Sequence, residues 1–373
     1  MSNVVAAGSV TAVHLEKRYA DVHALRGIDL EVHAGEFLTL LGPSGSGKTT
    51  LLNVIAGFQQ PDQGEVLLDD RPITQLPAHA RGFGMVFQSY ALFPHMTVAD
   101  NVGYPLRMRG VPSRERTGLV AQYLRLVELE HLGGRYPAQL SGGQQQRVAV
   151  ARALVFKPPV LLMDEPLGAL DRRLRQSLQF AIKRLHNELQ ATIVYVTHDQ
   201  EEALAMSDRV VVMREGRIEQ SGTPQAVYDE PQSAFVASFL GETNLIEAEV
   251  MQSNGTTTTL RHLASSQEFS LPGPPLSGRV LLSIRPDSLR LGSGLGLPLL
   301  RGRLTTVSFM GDAWRCEVVV GDQILIVRQP VHDGVAGTVG EVAIVGVLDG
   351  GIRVVPVAAS AADQVGSEGG EGA

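Results

Sequence analysis

"FLTLLGPSGSGKTTLLNVIAGF", residues 37–58, decides the reading of the whole chain. An apolar run of strand length leads into a turn with three glycines, and "KTTLLNVIAGF" then takes up the apolar spacing of a helix. Gly42 to Thr49 match G-x-x-x-x-G-K-[ST], and the match has physical meaning because a strand precedes it and a helix follows. Gly42, Gly45 and Gly47 let the backbone curl so that successive amides face one oxyanion, to which the helix start adds partial positive charge. Pro43, Ser44, Ser46 and Thr50 complete the loop. Lys48 is expected to reach the outer phosphates, and the Thr49 hydroxyl to serve Mg²⁺, which keeps several waters and needs few protein oxygens besides phosphate. The stretch predicts an α/β, P-loop nucleoside-triphosphatase fold.

Working outward, residues 11–95 read as short strands and turns with one helix after the loop. From about Val98 to Phe156 the period becomes helical, with Leu119, Tyr123, Leu126 and Val127 on one face. Alternation then resumes: "VLLMDE", a helix striped by Leu174, Leu178, Ile182, Leu185 and Leu189, the strand "TIVYVTH", and a helix from Gln200. Strands alternating with helices predict a parallel sheet whose ligands sit at the carboxyl ends of the strands. After Leu240 the segments are short, β-branched and broken by Gly, Pro or Asp, which predicts a small all-β domain. The expected domains are thus 10–242, with a helical insert at about 98–156, and 243–357. The tail 358–373 lacks the apolar content to fold and is expected to be disordered.

A phosphate loop needs a metal anchor and a means of activating water. "VLLMDEP" offers both at the end of an apolar strand: Asp164 to hold magnesium and Glu165 as general base. His198 ends "TIVYVTH" at the same sheet edge, where an imidazole can contact the γ-phosphate and hold the attacking water. A second anion-binding feature lies in "LSGGQQQRVAVARAL", residues 140–154. Ser141 to Gln144 read S-x-x-Q, a capping box, so a helix should start at Gly142 with outward-facing amides. With no lysine or metal ligand this is half a site.

Composition narrows the setting. At 373 residues and 44% apolar content the chain is globular, and its apolar runs fall far short of the roughly 20 residues a membrane helix needs. The start lacks the basic-then-apolar order of an export signal, so the cytoplasm is expected unless a partner holds the chain elsewhere. The net charge of −7 disfavours nucleic acid as a partner. The one cysteine, Cys316, excludes an internal disulfide and reads as a small core residue.

These motifs, in this order, resemble the ATPase subunit of ATP-binding cassette (ABC) transporters over about residues 10–240. The resemblance implies ATP and Mg²⁺, and it implies roles for residues that carry none alone. Tyr19 would stack on adenine, Gln88 in "MVFQSYALFP" would touch magnesium and sense a permease, and Asp171 in "LGALD" would lie at a dimer interface. Gly168 departs from the serine usual in that loop. Two copies would pack head to tail, so that Ser141, Gly142, Gly143 and Gln144 of one close over the ATP held by Gly42 to Thr50 of the other.

The resemblance also implies a separate transmembrane permease, met by "SYALFPHMTVADNVGYPLRMRG", an extracytoplasmic solute-binding protein acting indirectly, and a peripheral location on the cytoplasmic face of the inner membrane. The carboxyl domain resembles the small OB-like (TOBE) β-barrel of importer ATPases, through "GETNLIEAEV", "SIRPDSLRL" and "FMGDAWRCEVVV". The polyamine (spermidine/putrescine) branch fits best, with iron, sugar, thiamine and phosphonate importers as neighbours. A soluble cassette ATPase acting on ribosomes or DNA repair complexes is the alternative; such proteins carry paired cassettes, coiled coils or basic arms, none of which is legible here.

Overall fold

The computed structural model describes residues 7–168, 172–292 and 297–356. The expected tail 358–373 and Asp171 lie outside the described residues, as does the Leu174 side chain. Packing divides the chain into two compact units, Met1–Gln225 and Ala226–Ala373.

The first unit opens with β1 (Val10–Tyr19) and β2 (Val22–Val32), followed by β3 (Phe37–Leu41), α1 (Lys48–Ala56), β4 (Gln63–Leu68), β5 (Arg71–Pro72), α2 (Ala78–Arg81) and β6 (Gly84–Val86). The helical insert comprises α3 (Val98–Met108), α4 (Ser113–Leu126) and α5 (Gly142–Leu154). After it come β7 (Val160–Asp164), α6 (Arg172–Leu189), β8 (Thr192–Thr197), α7 (Gln200–Met206), β9 (Arg209–Arg214) and β10 (Arg217–Gly222). One sheet is antiparallel, in the order β2-β1-β4-β5; the other runs β10-β9-β3-β8-β7-β6 and is parallel except for β10.

The parallel strands are buried on both faces, and their side chains alternate between two cores, as the pleat requires. Leu38, Leu40, Val160, Leu162, Val194 and Val196 face α1 and the antiparallel sheet. Phe37, Leu161, Met163, Ile193 and Tyr195 face the core shared with the insert. On α4 the buried stripe is Val120, Tyr123 and Leu124, continued by Val127; Leu119 and Leu126, expected on the same face as Tyr123 and Val127, sit at its edges, partly buried. The short α2 was not legible because four residues carry no period. Its Arg81 is buried and donates to the carbonyls of Val54, Ile55, Thr74 and Leu76, capping the end of α1.

Among its described residues the second unit contains most of α8 (Pro224–Asp229), then α9 (Ala234–Phe239) and ten strands: β11 (Asn244–Ser253), β12 (Thr257–His262), β13 (Glu268–Pro272), β14 (Arg279–Ile284), β15 (Leu289–Leu291), β16 (Leu297–Phe309), β17 (Ala313–Val320), β18 (Gln323–Pro330), β19 (Val342–Val347) and β20 (Ile352–Val355). They form two five-stranded antiparallel sheets, β13-β12-β11-β14-β20 and β15-β19-β16-β17-β18, around one apolar core. Buried Asn244 joins the sheets by bonding Ile284 O and both backbone groups of Ile326. Arg285 donates to the carbonyls of Tyr228, Ala237 and Gly241, so residues ahead of the change in sequence texture pack with the β domain. Cys316 is fully buried in this core, and burial pushes its thiol up. Among the described residues no helix is long and apolar enough to cross a membrane.

Candidate functional site

The carboxyl end of β3 delivers the chain into the glycine loop, and parallel pairing brings the ends of β7 and β8 to the same edge. Leu41 is in register with Thr197, and Asp164 with Val196. The loop is held from behind: Gly216 N–H donates to Ser46 O at 3.0 Å, and Arg26 N–H to Gly216 O at 2.9 Å. Gly47 has φ +101°, and a Cβ there would lie 2.5 Å from Ala24 O, so the first position before α1 admits only glycine.

Lys48 is buried at the head of α1, and its Nζ donates to Gly42 O at 2.8 Å and Pro43 O at 2.9 Å. Burial lowers its pKa, partly offset by the charges of Glu165 and Asp164. The Thr49 hydroxyl donates to Asp164 Oδ1 at 3.1 Å. Burial also pushes the Asp164 carboxyl up against the opposing Thr49 hydrogen bond, and the neighbouring Glu165 charge adds to the rise. A hydroxyl and a carboxylate at a phosphate loop are hard oxygen donors. Among the described residues no group of three or more His, Cys, Asp or Glu is placed to hold a metal ion by itself. That donor set fits a cation satisfied by one or two protein oxygens and completed by phosphate and water, as Mg²⁺ is.

Glu165 sits at φ +42°, in the left-handed region a non-glycine residue adopts only when its surroundings hold it there. Its N–H donates to Val196 O at 3.0 Å, and its own carbonyl accepts from Gly168 N–H at 3.3 Å. This turn aims the carboxylate at His198, whose Nδ1 is 3.2 Å from Glu165 Oε1. Both side chains reach solvent, Glu165 at 23% and His198 at 57% exposure.

Exposed Gln88 follows β6 at the same edge. A Cβ built on Gly168 would stand 3.9 Å from both Gln88 Nε2 and Glu165 Oε2, ordinary contact, so space alone does not demand glycine at 168. Tyr19 is exposed at the β1–β2 turn, with its hydroxyl donating to Gln59 Oε1 and Lys17 Nζ 5.7 Å from its ring centre.

The helix start at Gly142 is capped from both sides: Ser141 Oγ accepts from Gln144 N–H, and Gln144 Oε1 from Ser141 N–H at 3.0 Å. Ser141 and Gly142 are exposed, and among the described residues no hydrogen bond joins residues 141–144 to residues 42–50. Sequence reasoning missed Arg152, near the end of α5. It donates to Tyr90 O and Ala91 O at 2.9 and 2.8 Å, fixing the loop after Gln88, where both residues have positive φ. A lone cation in a last helical turn was its only signal.

A family model described as ABC transporter matches residues 25–168, and one described as TOBE domain matches residues 282–355. The chain is 44% identical over 321 residues to the spermidine/putrescine import ATP-binding protein of Trichodesmium erythraeum, covering 82% of this chain and 84% of that one. It is also 44% identical over 329 residues to the Fe(3+) ions import ATP-binding protein of Agrobacterium fabrum, covering 87% and 92%. Among solved structures, a dimeric post-hydrolysis ATP-binding cassette bound to ADP and Pi superposes with a TM-score of 0.52 at 34% identity, covering 58% of this chain and 98% of that one.

Proposed function

This chain belongs to the ABC transporter family as an import ATPase with a TOBE domain, and we propose that it works as a head-to-tail homodimer driving a separate permease for a polyamine-type solute. The observation that carries the reading is the convergence of Lys48, Thr49, Asp164, Glu165 and His198 at one edge of the parallel sheet.

On this reading Lys48 exchanges its loop carbonyls for phosphate oxygens, and the loop amides of residues 42–50 hold the remaining charge. Thr49, Asp164 and Gln88 would hold Mg²⁺, which would supply charge neutralisation at the phosphates. Glu165 takes the proton of the attacking water while His198, held against it, fixes the water's orientation. Tyr19 stacks on adenine. The two-sided cap takes up the Gln144 amide and leaves those of Gly142 and Gly143 for a phosphate, which supports Ser141, Gly142, Gly143 and Gln144 as a lid for the partner's nucleotide. Asp171 joins that interface on the family resemblance.

ATP-driven closing and reopening of the pair is useful work only if something is attached, and the segment after Gln88, pinned by Arg152 to the lid helix, is suited to receive a permease. The chain is then peripheral, on the cytoplasmic face of the membrane. Relatives named for spermidine/putrescine and Fe(3+) import support a small cationic cargo, chosen by the solute-binding protein and permease.

The deciding experiment is Ser141→Arg. Nucleotide binding should match wild type while hydrolysis is lost, and wild-type hydrolysis per chain should fall on dilution. Full turnover in the variant, or a rate per chain independent of concentration, would remove the shared-site reading.

A further inference from the structure

The strand that leads into His198 is anchored by a carboxylate that the proposed chemistry does not use. Glu202, on α7, is 2% exposed, and its Oε2 accepts from the Tyr195 hydroxyl at 2.7 Å and the Thr197 hydroxyl at 2.8 Å. Thr197 Oγ1 in turn accepts from Asp199 N–H at 3.0 Å, and Asp199 Oδ1 accepts from Glu202 N–H at 3.2 Å, closing a ring. From α6, Arg175 donates to Asp199 Oδ2 at 2.7 Å, with its Nε 3.8 Å from Glu202 Oε1. His198 is the one residue between Thr197 and Asp199. Of its two peptide neighbours, Thr197 bonds the buried carboxylate directly, and Asp199 is joined to it through Thr197 Oγ1 and to the Glu202 backbone N–H.

Packing alone gives no reason for this choice. Burial pushes the Glu202 carboxyl up and the Tyr195 phenol well up, so two ionisable groups are placed where ionisation is opposed. Apolar residues of similar volume commonly fill such a space at equal or better stability. What a closed polar ring supplies, and an apolar cluster does not, is one fixed geometry.

We propose that Glu202 is a positioning residue for turnover: through Tyr195, Thr197 and Asp199 it holds the His198 imidazole 3.2 Å from Glu165, and Arg175 extends that constraint to α6. The inference rests on the reading of His198 as a turnover residue. It assigns a role to groups that touch neither nucleotide nor metal. It also links α6, which begins at Arg172, to His198 through the hydrogen bond from Arg175 to the neighbouring Asp199.

The test uses the full chain with Mg-ATP, reading kcat, KM, nucleotide affinity and Tm for Glu202→Gln, Tyr195→Phe, Arg175→Lys, Arg175→Met and His198→Ala. Glu202→Gln and Tyr195→Phe should lower kcat by about tenfold or more with KM within about twofold, because a small misplacement of a reacting group acts on the barrier and not on binding. Arg175→Met should do the same, and Arg175→Lys, which keeps a cation for Asp199, should recover most of the rate. Should Glu202→Gln not fold, Tyr195→Phe carries the measurement, since it removes one hydroxyl from the ring. If His198→Ala is slow while Glu202→Gln and Tyr195→Phe turn over like wild type, or lose only Tm, the inference is wrong and the reading of His198 stands. If His198→Ala itself turns over like wild type, both fall.

Discussion

Replacing Glu165 with glutamine tests the proposed chemistry most directly. The backbone at 165 is held at φ +42° by bonds to Val196 O and Gly168 N–H, which the substitution leaves in place, so the amide should occupy the same position beside His198. What is lost is one negative charge and the capacity to take a proton. The charge of Glu165 contributes to the raised pKa of Asp164, so removing it lets Asp164 ionise more readily and leaves a less negative site for a polyanionic substrate. Nucleotide affinity should therefore be equal or tighter. Loss of a general base lowers the rate by about 10²–10⁴, or ~3–5 kcal/mol of barrier. Phosphate release measures the rate, and titration with a fluorescent ATP analogue the affinity. In size-exclusion chromatography with Mg-ATP the variant should run as a trapped dimer. Hydrolysis within tenfold of wild type, at unchanged affinity, would refute the assignment of Glu165 as base.

Gly47→Ala places a methyl group 2.5 Å from Ala24 O at φ +101°; left-handed strain of about 1–2 kcal/mol plus overpacking of about 1–3 kcal/mol should shift the loop, seen as a drop in Tm and at least a tenfold loss of ATP affinity. Arg81→Met strips buried carbonyls at the end of α1 of their donor and should cost about 2 kcal/mol or more. Calorimetry should show the first unit melting about 4–8 °C lower. The pH dependence of stability tests the buried ring. The folded pKa of Glu202 is raised by burial, so its contribution to stability is fully present below the unfolded carboxylate value and is lost as pH rises through the folded one. Glu202→Gln cannot ionise, so its Tm relative to wild type should climb across the window just above the ordinary glutamate pKa; a gap that is flat or shrinks with rising pH would contradict this.

The sequence alone determined whatever depends on neighbours in the chain. The phosphate loop was legible because strand, glycines, lysine and threonine are contiguous. The helix start at Gly142 was legible because Ser141 and Gln144 cap one another within four residues. The buried parallel strands were legible as continuous apolar runs, and the β domain as short β-branched segments broken by turn residues. For Gln88, Tyr19 and Asp171 the residues themselves gave no signal, and only the resemblance of the ordered motifs singled them out.

Tertiary structure decided what depends on residues far apart in the chain. The approach of Asp164 to Thr49 spans 115 positions and follows from the register of β7 and β3, both paired to β8. The left-handed turn at Glu165 and its contact with His198 depend on β8 supplying the Val196 carbonyl. The Arg81 cap, the Arg152 clasp and the ring around Glu202 join single polar residues with no period to mark them, and each is stable only because folding removes its donors and acceptors from water together.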